Sequence, residues 1–265
     1  MTKLSIELSE NNVGCYVKTN LKNITHEEIQ EIKKLLNKHS VLFFKEQNLN
    51  PQEYIRFASN FGKPAEYPML KPHKDFKDIY VIERKKSDKG IGFGIGAHTD
   101  SSYMNNPPRF TFLQAIQVPE EGKGNTLFYN QFLAYEALPN EIKNKIKNLK
   151  GVFSSQGKIA RTRVLREVEH GTSNTKEIRS EHKLVQTIDG RKAIYCSPGH
   201  IVDVANLNSN QKEFIDFLTS HQTKKDFSFS FAWKKGDIAV WSNRSMLHAA
   251  TTYNGDRKMF RITVQ

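Results

Sequence analysis

Cysteine is nearly absent. The 265 residues include two, Cys15 and Cys196, too few for a disulfide framework or a cysteine-ligated zinc site. Each reads as a small, reduced, structural residue. No run of about 18 apolar residues occurs, as a membrane-spanning helix would need. The opening MTKLSIELSE has no apolar stretch of signal length. These absences set the expectation of a cytoplasmic protein with no membrane partner. A basic cluster is missing as well. Forty Lys and Arg against 28 Asp and Glu leave a net charge of +12, but the cations are scattered and no nucleic-acid-binding motif accompanies them. The expectation is a lysine-rich solvated surface and no nucleic-acid partner. Such a surface would still favour small anions at an open cleft. There is no internal repeat and no low-complexity linker, so the chain is taken as one domain, 1–265, with homo-oligomerisation left open.

What is present is a run of short strand patterns framed by helices. HEEIQEIKKLLNKH (26–39) has Ile29, Ile32, Leu35 and Leu36 at helical spacing, with Thr25 placed as N-cap. VLFFKEQ (41–47) reads as a buried strand, and NPQEYIRFASNFG (50–62) as a second helix. From residue 79 onward the strand patterns are IYVIER, RFTFLQAIQV, NTLFYN, KLVQTI, KAIYCS, FSFSFAW, DIAVWS and KMFRITV, interrupted by helices near 132–149 and 209–221. Strand and helix do not alternate strictly, which argues against a doubly wound sheet. The expected fold class is mainly β with α, a double-stranded β-helix (jelly roll) with flanking helices. The stretch 154–182 is polar and aperiodic, and is expected to be a lid or mobile excursion.

The chemistry begins at GIGAHTDSSY (94–103). If this stretch runs straight, His98 and Asp100 point to one side and Thr99 to the other. An HxD pair alone is weak, since buried His–Asp hydrogen bonding gives the same pattern. His248, in WSNRSMLHAATTYNGDRKMFR (241–261), supplies a third ligand on an adjoining strand. Two histidines and a carboxylate form a facial triad that leaves three positions of an octahedral Fe(II) open. A bidentate 2-oxo acid plus O2 would fill them. The far carboxylate of that acid calls for an arginine fork, for which Arg257 is the candidate, and Thr126 offers a hydroxyl donor. Arg261, four positions after Arg257 on a strand, faces the same side. Trp241 and Asn243 are expected behind His248, supporting it. His73, His170, His182 and His221 read as structural or exposed.

Taken in order, VLFFKEQNLNPQEYIRFASNFGKP, AHTD, GKGNTLFYN, TIDGRKAIYCSP and the closing WSNR–H–R–R block resemble the taurine dioxygenase family of Fe(II)- and 2-oxoglutarate-dependent oxygenases over nearly the whole chain. The resemblance implies His98, Asp100 and His248 as iron ligands and catalytic centre, and Thr126 and Arg257 as contacts to 2-oxoglutarate. It implies succinate and CO2 as co-products of hydroxylation of an unactivated C–H bond. Related halogenases replace the carboxylate ligand with a small residue, so Asp100 implies hydroxylation rather than halogenation. Arg261 matches an arginine that holds the substrate's sulfonate in the taurine enzyme. Tyr67 and Leu70 stand where that enzyme has a histidine and a tyrosine, Gly94 replaces an asparagine, and His200 a phenylalanine. These departures put taurine in doubt. They assign Tyr67, Leu70, His200 and Arg261 to a different small substrate, expected to be an organic anion such as a sulfonate, phosphonate, sulfate ester or carboxylate. The alternatives are a tailoring oxygenase acting on an amino-acid-like metabolite, a nucleic-acid-binding demethylase-like protein and a non-catalytic jelly-roll binding module.

Overall fold

The computed structural model describes residues 4–67, 70, 72–88, 92–120, 122–160, 176–207 and 210–265. The strands are β1 Ser5–Leu8, β2 Cys15–Lys18, β3 Val41–Phe44, β4 Tyr80–Arg84, β5 Phe110–Gln117, β6 Thr126–Asn130, β7 Lys150–Ser154 and β8 Arg179–Lys183. They continue with β9 Val185–Ile188, β10 Arg191–Ile194, β11 Ile201–Ala205, β12 Ser228–Phe231, β13 Ile238–Ser242, β14 Met246–Ala250 and β15 Arg257–Val264. The α-helices are α1 His26–His39, α2 Pro51–Ser59, α3 Gln131–Glu136, α4 Asn140–Ile146 and α5 Gln211–Gln222. A seven-stranded sheet in the order β1-β2-β3-β13-β5-β15-β4 faces a three-stranded sheet, β12-β6-β14. A second three-stranded sheet, β11-β7-β8, and the β9–β10 hairpin complete the β structure among the described residues. The jelly-roll expectation holds.

The central strands of the large sheet are buried on both faces, and their side chains sort by period two. In β13, Ile238 and Val240 join the apolar layer beneath α1 and α2, which includes Ile29, Ile32, Leu36, Tyr54 and Phe57. Ala239 and Trp241 point the other way, into the space between the sheets, with Phe43, Phe128, Phe231 and Met259. β15 alternates likewise: Phe260, Ile262 and Val264 lie under the helices, while Met259 faces the inter-sheet space. Arg257 and Arg261 share the parity of Met259, so both guanidiniums are carried into the interior.

Local sequence explains the two helices that cover this sheet. Thr25 and Glu28 form a reciprocal capping box at α1. Asn50 and Glu53 form another at α2, with Pro51 in its first turn. Several expectations need correction. The second helix ends at Ser59, and the helix near 132–149 is two helices, α3 and α4, parted before Pro139. β1, β2, β7, β8 and β11 belong to no pattern singled out in the sequence, while β14 is the adjoining strand on which His248 was expected. The segment 154–182 is not all excursion: Ser154 ends β7, and β8 begins at Arg179 and pairs with β7 in antiparallel register. Its middle, 161–175, lies outside the described residues, as does His170. Among the described residues, no helix is long and apolar enough to cross a membrane. Cys15 and Cys196 are buried free thiols, each pushed up to about 12 by burial and so unreactive at neutral pH.

Candidate metal and co-substrate site

The HTD stretch departs from the straight strand expected of it. His98 forms an antiparallel bridge directly across from His248, and Ile95 bridges Ala250. Paired backbone hydrogen bonds join the two histidines, His98 N–H to His248 O at 3.0 Å and His248 N–H to His98 O at 2.8 Å. The segment thus extends the small sheet beyond β14 for a few residues. Directly opposed residues project to the same face, and the two imidazole rings lie 4.2 Å apart. After Asp100 the chain turns sharply, with Ser101 in the left-handed region at φ 51° and Met104 N–H closing onto Ser101 O. Behind the stretch, Gly199 packs so tightly that a Cβ there would lie 3.0 Å from the Cβ of His98.

His98 and Asp100 each have their second polar atom hydrogen-bonded, and His248 is held by its backbone and a ring contact. His98 Nδ1 lies 2.9 Å from the Gly96 carbonyl. A carbonyl only accepts, so Nδ1 carries the proton and Nε2 is left bare. Asp100 Oδ2 accepts from the Thr111 hydroxyl at 2.7 Å, and Oδ1 faces the two histidines with Arg261 Nη2 also 3.0 Å from it. His248 is held by its backbone bridge and by the Trp241 ring at 4.6 Å, with Nδ1 unpaired in the interior. The inward atoms are close: Oδ1 of Asp100 lies 3.9 Å from His98 Nε2 and 3.7 Å from His248 Nε2. All the ligand atoms of the set fall within 4.8 Å of one another.

The electrostatics suit a cation. Burial lowers the pKa of both imidazoles, His248 to about 3, so both are neutral ligands at pH 7. Burial alone would raise the Asp100 carboxyl. The Arg261 guanidinium, the two histidines and the Thr111 hydrogen bond outweigh that effect and hold it below the usual carboxylate range. Two neutral imidazoles and one carboxylate converge here, with the Arg261 guanidinium beside the carboxylate, a donor set that fits a six-coordinate divalent iron with open positions.

Two small adjoining chambers, of about 40 and 30 Å³, meet at His98 and Asp100. The first is lined by Thr126, Trp241, His248, Arg257 and Arg261. Thr126 Oγ1 accepts from Trp233 Nε1 at 3.0 Å, so its own proton is available to a ligand. Arg257 is buried, with Nε unpaired, and burial lowers its pKa from the usual guanidinium value. A buried, incompletely paired guanidinium beside a hydroxyl donor is a receptor for a carboxylate. The second chamber is lined by Tyr67, Phe93, Ser101, Tyr103, Ile159 and His200 around the same His98 and Asp100.

Of the residues singled out from sequence, His98, Asp100, His248, Thr126, Arg257, Arg261, Tyr67 and His200 therefore gather around one centre. Leu70 lines neither chamber. Its amide meets Tyr67 O at a long 3.5 Å. His73, His182 and His221 stand away from the site, each with a local partner. Sequence reading missed Thr111 and Thr99. Trp241 Nε1 donates to Asn243 Oδ1 at 3.2 Å, and Asn243 Nδ2 donates to Thr111 Oγ1 at 2.9 Å. Thr111 then donates to Asp100, while Thr99 Oγ1 donates to Asn243 O at 2.6 Å. The alternation around Thr111 in RFTFLQ was the available signal: a threonine sits there between Phe110 and Phe112 on a buried strand.

A His–Asp–His ligand set between the two sheets of a jelly roll, beside a buried arginine and a threonine, fits the class of non-haem oxygenases. The family model for taurine catabolism dioxygenases, TauD, TfdA family, matches residues 16–263; the chain belongs to this family, and is an Fe(II)- and 2-oxoglutarate-dependent dioxygenase. It is 27% identical to an alkylsulfatase of Acinetobacter baylyi, over all of this chain and 84% of that one. It is 26% identical to an alpha-ketoglutarate-dependent 2,4-dichlorophenoxyacetate dioxygenase of Cupriavidus pinatubonensis, over 86% and 84%. A pentalenolactone F synthase of Streptomyces avermitilis is 24% identical over 89% and 85%. The solved structure of AAD-2 in complex with Mn(II) and N-oxalylglycine superposes with a TM-score of 0.80 at 25% identity, covering 100% of this chain and 97% of that one. A taurine dioxygenase from Burkholderia xenovorans gives 0.82 at 24% identity, over 99% and 90%, which speaks for the fold.

Proposed function

We propose that His98, Asp100 and His248 hold Fe(II), that Arg257 and Thr126 bind the distal carboxylate of 2-oxoglutarate, and that the enzyme hydroxylates an unactivated C–H bond of a small organic substrate. The observation that carries this reading is the convergence of three ligand atoms within 4.8 Å beside a chamber holding a buried arginine and a threonine donor. When bound, iron and 2-oxoglutarate together activate O2, with release of succinate and CO2. The chain's own part is positional. The cross-strand bridge sets the two imidazoles, Thr111 fixes the carboxylate rotamer through Oδ2, and Arg257 orients the co-substrate so that its keto-acid end faces the triad. Trp241, Phe128 and Met259 keep the inner wall dry.

Because Asp100 fills the third ligand position, hydroxylation rather than halogenation is the expected outcome. The relatives' names, an alkylsulfatase and a phenoxyacetate dioxygenase, make a small organic anion the reference class of substrate, the class that Arg261 also suggested from sequence. The match to pentalenolactone F synthase supports a second reading, a tailoring step in a biosynthetic pathway. The test is succinate release with Fe(II), ascorbate and 2-oxoglutarate, screened over sulfonates, phosphonates, alkyl sulfates, amino acids and neutral analogues. Succinate production that requires Fe(II), with a hydroxylated or fragmented product, supports the proposal. Fe(II)-independent turnover would defeat it.

A further inference from the structure

The ligating oxygen of Asp100 has a second cationic neighbour. Thr111 takes Oδ2, so Oδ1 is the atom that faces His98 and His248, at 3.9 and 3.7 Å. The same Oδ1 lies 3.0 Å from Arg261 Nη2. Arg261 is 2% exposed and projects from β15, where it pairs with Tyr80 on β4 and Leu113 on β5. Register on both sides fixes its backbone, and only the side chain is left to turn. The contact is one of charge more than of hydrogen bonding. Neither Nη2 nor Nε makes a hydrogen bond among the described residues. Burial disfavours both charges, and each group leads those that restore the other's. Tyr67 lies against the guanidinium, its ring 4.2 Å away, and also favours the charged form.

Nε and Nη2 form one edge of the planar guanidinium, an edge that grips an oxyanion through two parallel bonds. Two buried donors without acceptors on that edge are costly, and one ligand oxyanion satisfies both. A metal held by Asp100 Oδ1 must share that oxygen with Arg261. Two cations on one buried carboxylate oxygen repel each other, the more so in a low dielectric. Arg261 thus opposes the metal for as long as its charge rests on Asp100. An oxyanion on the Nε–Nη2 edge supplies the guanidinium with its own counter-charge and draws it off Oδ1. The metal then has that oxygen to itself. Linkage makes the effect mutual: a metal on Oδ1 leaves Arg261 short of counter-charge, and the anion is held more tightly.

We propose that Arg261 couples the metal to the substrate. It shares Asp100 Oδ1 with the metal, and an anionic substrate taken up on its Nε–Nη2 edge makes metal and substrate each bind more tightly in the other's presence. This rests on the reading of His98, Asp100 and His248 as the metal centre and of the substrate as a small organic anion.

The test measures Mn(II) affinity of the full-length protein by calorimetry, without oxygen and at constant ionic strength. Saturating 2-oxoglutarate keeps Arg257 occupied. Propanesulfonate, propyl sulfate and butyrate serve as anions, with propanol as the uncharged control. Ligand-observed NMR on the Zn(II)-loaded protein reports separately whether each probe binds. We expect the anions to tighten Mn(II) binding by about 5- to 50-fold, and propanol to leave it unchanged. Without anion, Arg261→Gln should bind Mn(II) about 3- to 10-fold more tightly than wild type, and the anions should no longer affect it. Arg261→Lys, a point charge without the fork, should keep wild-type Mn(II) affinity and lose most of the coupling. A folded Arg261→Gln protein that binds Mn(II) no more tightly than wild type overturns the inference, since removing a mere prop for Asp100 would weaken the metal. Coupling that survives in Arg261→Gln also overturns it, because the anion would then be touching the metal directly. If that variant does not fold, the wild-type titrations decide. Anions that bind without altering Mn(II) affinity overturn the coupling and leave the substrate class standing. Anions that fail to bind bring down both, while wild-type Mn(II) binding judges the metal centre by itself.

Discussion

The two chambers that meet at His98 and Asp100 are built from different kinds of chain. The co-substrate side is carried by regular strands: Thr126 opens β6, His248 sits in β14, and Arg257 and Arg261 alternate along β15 with core residues. Its positions are fixed by ladder register and by the aromatic layer between the sheets. The substrate side is carried by irregular segments, Tyr67, Phe93, Ser101 to Tyr103, Ile159 and His200, none of which lies inside a strand or helix. Rigid register suits a group that every turnover must bind identically. Loop-borne walls can change residue by residue without disturbing the sheets, which is where a family varies its substrates.

Breaking the metal centre should have the largest effect on both sides at once. His248→Ala is expected to weaken Fe(II) or Mn(II) binding by at least about 100-fold and to abolish succinate release. Calorimetric titration with Mn(II) reads this directly, and circular dichroism should show the jelly roll intact. Affinity within a factor of three of wild type would remove His248 from the ligand set.

Arg257→Ala sharpens the contrast, because it should touch only the co-substrate side. The 2-oxoglutarate KM is expected to rise about 10- to 100-fold with metal affinity nearly unchanged, and Arg257→Lys should recover part of the loss, a point charge lacking the planar fork. An unchanged KM would move the anchor to another residue.

A smaller change is expected behind the ligands. Thr111→Val removes the hydroxyl that holds Asp100 Oδ2 and should weaken Mn(II) binding about tenfold. Asn243→Ala, one step further back, should give a smaller effect in the same direction.

The gentlest prediction concerns acid. Buried His248 is held down to about 3 from an ordinary 6.5, and His98 is lowered as well. Between those values the unfolded chain binds protons that the folded, metal-free protein refuses, so stability must fall as pH drops. The Tm of metal-free protein should be lower by several degrees at about pH 5 than at about pH 7.5. A His248→Leu variant should show a flatter profile. Equal slopes for the two proteins would mean that His248 is not held neutral.

The same contrast between the chambers explains what could be read from the chain. On β15, the parity of Arg257, Met259 and Arg261 against Phe260, Ile262 and Val264 is written in period two, so the shared face of the arginines was legible. α1 was legible from Thr25 and its apolar spacing. Thr111 looked like one more strand residue, and only the fold shows its hydroxyl reaching Asp100 from eleven positions away. On the substrate side, resemblance located Tyr67 and His200. It could not show that Tyr67 stacks on Arg261, nor that the turn after Asp100 aims Ser101 and Tyr103 inward, since loop direction depends on backbone angles with no periodic trace. Leu70, placed at the site by alignment of motifs alone, lines neither chamber for the same reason.

The central claim, one metal held by His98, Asp100 and His248 with a carboxylate receptor on the Arg257 side, is tested most directly by a crystal structure grown with Mn(II) and N-oxalylglycine. Anomalous scattering should place the metal on His98 Nε2, Asp100 Oδ1 and His248 Nε2, with the far carboxylate of N-oxalylglycine on Arg257 and Thr126. Metal bound elsewhere, or that carboxylate lying among Tyr67, Ser101 and Tyr103, would contradict the account.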